Sequence, residues 1–264
     1  MPEKYQETTI RHEPHSVWIL INRPEKLNTI TAGVADEIIS ALDECSQDRD
    51  VRAVVLSSMG KNFSAGADIN QFYGISTEGA IAFHRKLNDL VLRIRSFPKP
   101  VIALLHGYAL GGGLEISESA DIRVATETCT LGQPEIDLGI NAGAGGNVVL
   151  PRLIGYGKAI YLALTGSKIS AARAMEIGLV DAVVPDSSAE SFVRELIEKI
   201  SEKPYETVSI IKAVMVNSLN SEVSAGLEYE ATAFGYLLAS EETQKRISGF
   251  ISKHSHDNRV SRQN

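Results

Sequence analysis

Cysteine is nearly absent from this chain. Its 264 residues hold two, Cys45 and Cys129, far apart in sequence. Two cysteines build neither a disulfide framework nor a zinc knuckle, so a reducing, cytoplasmic setting is expected. An excess of positive charge is missing too. Lys plus Arg is 26 against 33 Asp plus Glu, a formal net charge of -7, which argues against a nucleic-acid partner, since such binders present a basic face. No apolar run reaches the roughly 18 residues that a spanning helix needs, so no membrane association is expected. The first ten residues, MPEKYQETTI, hold no apolar segment and carry Glu3 and Glu7, unlike a secretory or transit leader. What is present is ordinary: 44% hydrophobic and 22% charged residues, the balance of a globular chain long enough to bury its own core without a disulfide or metal staple.

Several common chemistries are also missing. There is no G-x-S-x-G nucleophile elbow. The P-loop pattern fails, because Gly157-Lys158 is followed by Ala159. The glycine clusters do not spell G-x-G-x-x-G, which excludes the usual dinucleotide fingerprint. The six histidines (His12, His15, His84, His106, His254, His256) form no HExxH pair. His254 and His256 sit in a polar tail, and His106, at a strand end before a glycine, reads as a structural histidine. No metal site is expected.

Periodicity gives the order of elements. Residues 16–22 (SVWILIN) read as a buried strand with a partner over residues 8–13, and Arg23-Pro24-Glu25-Lys26 ends it. Apolar residues at Val34, Ile38, Ala41 or Leu42, and Cys45 have helical spacing. Residues 51–56 form a short apolar run, a second buried strand, followed by a polar loop to residue 68. Ala80, Phe83, Leu87, Leu90 or Val91, and Ile94 mark a long amphipathic helix that Pro98 and Pro100 stop, and a strand resumes over 101–105. Alternating strands and helices predict an α/β fold. Residues 107–157 hold 11 of the 21 glycines, a sign of unusual backbone angles and close approach in loops. Beyond Pro185 the pattern is helical, with stripes at Phe192, Leu196, Ile200 and at Leu227, Ala231, Phe234, Leu238. The domain reading is an α/β core over 1–190 and a helical region over 191–264.

Three segments carry what remains: FSAGADI at 63–69, HGYALGGGLE at 106–115, and LGQPEIDLG at 131–139 followed by AGAGG at 142–146. In this order, with Asn22-Arg23-Pro24-Glu25-Lys26-Leu27-Asn28 before them and Gly178-Leu179-Val180 after, they resemble the enoyl-CoA hydratase/isomerase (crotonase) superfamily. The resemblance runs from about Trp18 to Val184 and weakens in the C-terminal helices. It implies a spiral of repeated ββα units with a C-terminal helical oligomerisation region.

The chemistry suits the residues. A thioester enolate needs its oxyanion held by dipoles already in place. Gly112 stands where a helix is expected to begin, so its free N–H and the helix dipole face an anion. The resemblance pairs it with the Ala67 N–H as an oxyanion hole. Adding water to an α,β-unsaturated thioester requires one group on the water and a proton delivered to Cα. The resemblance gives these tasks to Glu115 and Glu135, with Glu135 as donor to Cα and Glu115 as holder of the water and base. The bland alternatives are a first-turn acid for Glu115 and a solvated loop acid for Glu135.

The resemblance further implies an acyl-CoA thioester substrate and no separate cofactor. The adenine would lie against the backbone around Ala65, Gly66, Asp68 and Ile69 and the pantetheine along Lys26 and Leu27, with Gly111, Pro134 and Gly143 also expected to bind substrate or CoA. Phe250 and Lys253 match positions that reach a CoA site, and the helical region would mediate a homotrimer or homohexamer. The expected activity is reversible syn hydration of a trans-2-enoyl-CoA to a 3-hydroxyacyl-CoA. The alternatives are a 3,2-trans-enoyl-CoA isomerase, another CoA-thioester hydratase or hydrolase, or a noncatalytic acyl-CoA-binding subunit.

Departures from the family pattern stand out. Ala142 to Val149 reads AGAGGNVV where Pro-Gly-x-Gly-Gly-Thr-Gln-Arg is common, so polar Gln-Arg has become Val148-Val149. Asn141 adds polarity to the expected acyl pocket. Glu118 replaces a small or apolar residue, and either faces solvent or acts on Glu115 as a like charge. Lys245-Arg246 replaces a common Glu-Gly.

Overall fold

A computed structural model describes the chain from residue 5 to residue 260, with side chains described as far as residue 252. The fold is α/β. Strands β1 (Thr8–Glu13) and β2 (Ser16–Ile21) form an antiparallel hairpin. All six residues of β2 are buried, because a sheet covers it on both sides and helices cover both faces. Such a strand reads as a continuous apolar run and not as alternation.

Helix α1 (Ala32–Cys45) follows, capped by Thr31, whose side chain accepts from the Val34 N–H. Strand β3 (Ala53–Ser58) begins and ends two residues beyond the expected run. The polar residues Ser57 and Ser58 extend it because their hydroxyls bond the carbonyls of Leu104 and Asn62, which removes the penalty of burying them. Helix α2 (Thr77–Ser96) is capped by Ser76. Then come β4 (Val101–Leu105), β5 (Tyr108–Leu110), α3 (Gly112–Glu118), β6 (Ile122–Thr126) and β7 (Thr130–Gly132). The chain continues through α4 (Leu150–Ile154), α5 (Tyr156–Thr165), β8 (Lys168–Ser170), α6 (Ala171–Glu176), β9 (Ala182–Val184) and α7 (Ala189–Ser201).

The large sheet has the order β1-β2-β3-β4-β6-β9, parallel except for β1. A second, smaller sheet has the order β5-β7-β8. Two isolated bridges continue it: Ser64 pairs with Ala109, and Ile30 with Ala67. Each turn of chain thus lays one strand in the large sheet, one short extended segment in the second ladder, and then a helix. This is the expected spiral of ββα units. Its consequence for function is that residues 30, 64–67, 108–112 and 130–135, distant in sequence, become neighbours along one edge.

Two apolar layers hold the large sheet. Val17, Ile19 and Ile21 of β2 face α1 and α2, in a layer that includes Val34, Ile38, Leu87 and Leu90. Trp18 and Leu20 face the other way, toward Ala189, Val193 and Ile197 of α7. Helix α7 therefore belongs with the sheet. The chain divides into two compact units after Glu202, one helix later than the expected boundary at 190, because the first apolar stripe of the supposed appendage packs on Trp18. The second unit, from Lys203 onward, is all helix: α8 (Tyr205–Ser218), α9 (Val223–Leu238) and α10 (Glu241–Val260). Helix α8 packs against α9. Among the described residues no helix is long and apolar enough to cross a membrane.

Candidate active site

The second ladder delivers both glutamates to one cavity. Strand β5 ends at Leu110, and Gly111 turns the chain into α3 with a left-handed φ of 49°. A Cβ on Gly111 would stand 2.8 Å from Glu135 Oε1, so only glycine allows both the turn and the carboxyl beside it. Glu115 lies in the first turn of α3, and its N–H bonds the Gly111 carbonyl at 2.9 Å. Strand β7 ends at Gly132, whose carbonyl accepts from the Gly111 N–H at 3.0 Å. A short 3-10 turn, Pro134–Leu138, then carries Glu135. One backbone hydrogen bond therefore ties the two glutamate-bearing turns together.

The first segment closes the other side. Gly66, at φ 108°, accepts the Ile30 N–H, and a Cβ there would meet the Leu110 carbonyl at 3.2 Å and the Gly112 N at 3.6 Å. A Cβ on Gly112 would come within 3.4 Å of the Ala67 N. The two backbones abut. Among the described residues neither the Ala67 nor the Gly112 N–H donates to a protein acceptor. For Gly112 this follows from its place in the first turn of a helix, where amides have no intrahelical partner. Two adjacent amides without a protein acceptor thus lie beside a pair of carboxyls.

Glu115 is held firmly. Only 3% exposed, its Oε1 accepts the Ala144 N–H at 2.7 Å and the Gly146 N–H at 2.9 Å. These amides come from the glycine-rich stretch after the 3-10 turn. Burial raises the Glu115 pKa above the usual carboxylate range, against the pull of these amide bonds. Glu135 is less buried but worse paired: its Oε2 has no partner. Burial, reinforced by the Glu115 charge, pushes it up to about 7. That places one carboxyl near half-protonation at neutral pH, as an acid–base catalyst requires. Glu115 is the first-turn acid that its bland reading describes, but it is buried, and Glu135 is half-buried with Oε2 out of water, unlike a solvated loop acid.

The cavity, about 80 Å³, is lined by Ala65, Gly66, Ala67, Ile69, Gly111, Gly112, Glu115, Pro134, Glu135 and Gly143 among the residues expected from sequence. Leu27 stands beside it through its carbonyl, which accepts the Ala65 N–H at 3.0 Å. Lys26 is exposed on the preceding turn, and Asp68 caps a 3-10 turn through Asn70. Neither lines the cavity. Phe250 is an exposed residue of α10 in the second unit, and the Lys253 side chain lies outside the described residues. The cavity also takes Phe72, His84, Leu87, Leu138, Ile140 and Asn141. Leu87 reads from sequence only as part of a core stripe on α2, and His84 is its neighbour one turn earlier. Burial pushes the His84 imidazole below its usual range.

Comparisons with known proteins identify the family. The sequence profile of the enoyl-CoA hydratase/isomerase family matches residues 14–258. The chain is 36% identical over 236 residues to the short-chain-enoyl-CoA hydratase of Clostridium acetobutylicum, covering 89% of this chain and 90% of that one. It is 32% identical over 250 residues to the crotonyl-CoA hydratase of Syntrophomonas wolfei, covering 94% and 96%. The chain belongs to the enoyl-CoA hydratase/isomerase family. Among solved structures, an enoyl-CoA hydratase from Thermoplasma volcanium superimposes with a TM-score of 0.88 at 40% identity, covering 94% of this chain and 99% of that one.

Departures from the family pattern now have places. Val149 is buried and joins the turn into α4, while Val148 is exposed. The loss of a polar pair is thus a local repacking on one side only. Asn141 lines the cavity, with its amide bonded to the Ala142 carbonyl. Glu118 does not face solvent. It is 1% exposed and lies behind Glu115 on the same helix.

Proposed function

We propose that this chain is an enoyl-CoA hydratase, adding water reversibly to a trans-2-enoyl-CoA. The observation that carries the reading is the convergence of one buried and one half-buried carboxyl, unequally held, on one small cavity beside two free amides. Glu115, with Oε1 fixed by the Ala144 and Gly146 amides, orients a water and takes its proton as the oxygen bonds to Cβ. Glu135 gives its proton to Cα on the same face. The Ala67 and Gly112 amides hold the thioester oxygen while it carries the enolate charge. Water is added whole, with nothing oxidised or reduced, so the reaction needs no redox cofactor. The CoA portion is assigned to the backbone of Ala65, Gly66 and Leu27.

The test is turnover of crotonyl-CoA. A positioned acid or base typically contributes about 10²–10⁴-fold. Glu115→Gln and Glu135→Gln should each lower hydration by that factor, and the double variant by less than the product, because the two act as a unit. An isomerase shuttles one proton with one carboxylate. It would lose its action on a 3-enoyl-CoA in Glu135→Gln and keep most of it in Glu115→Gln. Hydration surviving Glu115→Gln within about threefold would rule out the two-glutamate mechanism.

A further inference from the structure

Glu118 has no task in the mechanism above, yet it is a carboxyl buried to 1% exposure in the wall behind it. It sits three residues after Glu115, on the same side of α3. Its Oε1 accepts the Gln133 Nε2–H at 3.2 Å. Its Oε2 has no partner, and neither has Oε1 of the same Gln133. Two unpartnered acceptor oxygens on two side chains already in contact are an expensive arrangement in a dry site. One proton resolves both, because an acid Oε2–H is a donor and Gln133 Oε1 is the free acceptor.

The charges around Glu118 support this. Glu115 on its own helix and Glu135 beyond β7 are like charges. Arg123 on β6 is the cation acting on it, and its guanidinium is spent on the carbonyls of Leu179 and Ala120 and on Asp181. An anion at Glu118 would thus be buried without an ion pair, beside two other carboxyls. Burial, with the Glu115 charge second, holds this carboxyl well above the usual range.

Gln133 connects Glu118 to the catalytic pair. A Cβ on Gly146 would stand 2.6 Å from Gln133 Nε2, so the Gln133 amide lies close against the residue whose N–H holds Glu115 Oε1 at 2.9 Å. Val148 and Val149, just beyond, offer Gln133 no side-chain donor.

We propose that Glu118 is a positioning residue that acts as a neutral carboxylic acid: it donates its proton to Gln133 and thereby fixes the Gly146 amide and the Glu115 carboxylate it carries. This rests on the hydratase reading for its kinetic consequence, but not for its protonation. Two measurements separate them. In the resting protein at neutral pH, the infrared difference between wild type and Glu118→Gln should show loss of a protonated-carboxyl carbonyl band. Loss of a carboxylate band instead would overturn the proposal whether or not the protein turns over crotonyl-CoA. In turnover, Glu118→Met should lower kcat at least about tenfold with KM little changed, since misplacing a reacting group by an ångström costs on the order of 100-fold. Glu118→Gln, which keeps a donor for Gln133 and no charge, should recover most of that loss and leave the pH profile in place. A profile moved toward acid by about one unit or more in Glu118→Gln would mean that a negative charge had been removed, and wild-type kcat in Glu118→Met would mean that nothing is being positioned. Either result overturns it.

Discussion

At the scale of single residues, the site works because its carboxyls are unlike. Glu115 has two amides on one oxygen; Glu135 has an orphan oxygen and the charge of Glu115 nearby. In the proposed hydration one proton serves the pair, on Glu135 before the addition and on Glu115 after it. Burial first, and then Glu115, places the Glu135 pKa at about 7. A carboxyl so raised is protonated below that pH and ionised above it. Hydration needs the protonated form, so kcat/KM for crotonyl-CoA should fall as pH rises through about 7, approaching tenfold per unit. The limb should vanish in Glu135→Gln, whatever activity remains. A profile flat to about pH 9 would remove Glu135 as the acid. Both glutamates and both amide-bearing residues were named from the sequence through the family resemblance, and the structure brings them together where the turn at Gly111 and the close pass at Gly66 admit no side chain. His84 was not, and the loop that carries Phe72 was expected at the pocket without its side chain being placed. A cavity wall made of one helix face and one loop leaves no local signature, because the residues become neighbours only through the spiral.

At the scale of elements, β1 to β4 of the large sheet were read from the sequence while β6 and β9 were not, and the errors share a cause. Apolar runs mark buried strands, but they do not say where pairing stops. Ser57 and Ser58 stay in β3 because their hydroxyls find carbonyls. Strand β5, three residues inside a glycine-rich stretch, exists only because Ser64 and β7 flank it. Helix α7 was assigned to the wrong side of the domain boundary because an amphipathic stripe does not reveal what it covers. It covers Trp18 and Leu20, and Ile197 is 1% exposed in that layer. Truncating a buried isoleucine to alanine costs about 2–5 kcal/mol, from lost transfer energy and the cavity left behind. Ile197→Ala should therefore lower the urea midpoint by that equivalent with an unchanged slope, while kcat on crotonyl-CoA below the transition stays near wild type. A loss under about 1 kcal/mol would mean that α7 is dispensable to the first unit.

At the scale of the whole molecule, the helical unit leaves much apolar surface uncovered. Leu227 is 58%, Phe234 66% and Leu238 39% exposed on α9, and Met215 of α8 and Leu219 just after it are more than half exposed. The stripe at 227, 231, 234 and 238 has helical spacing, so these side chains share one face of α9. Scattered single apolar residues on a surface need no explanation, but a contiguous face does. The chain's charge of -7 does not balance it, since net repulsion opposes nonspecific association without hiding an apolar stripe. Burial against further copies of the same chain is the economical solution, and closed rings are the usual form of homo-oligomer. The family resemblance sets the expected number at a trimer or a pair of trimers. Light scattering at micromolar concentration should give about three or six times the chain mass. Phe234→Glu, which places a charge in the middle of the stripe, should shift that mass downward while far-ultraviolet circular dichroism keeps its helical signal. A wild-type mass equal to one chain at that concentration would leave the stripe without a partner of its own kind, and the assembly would have to be given up.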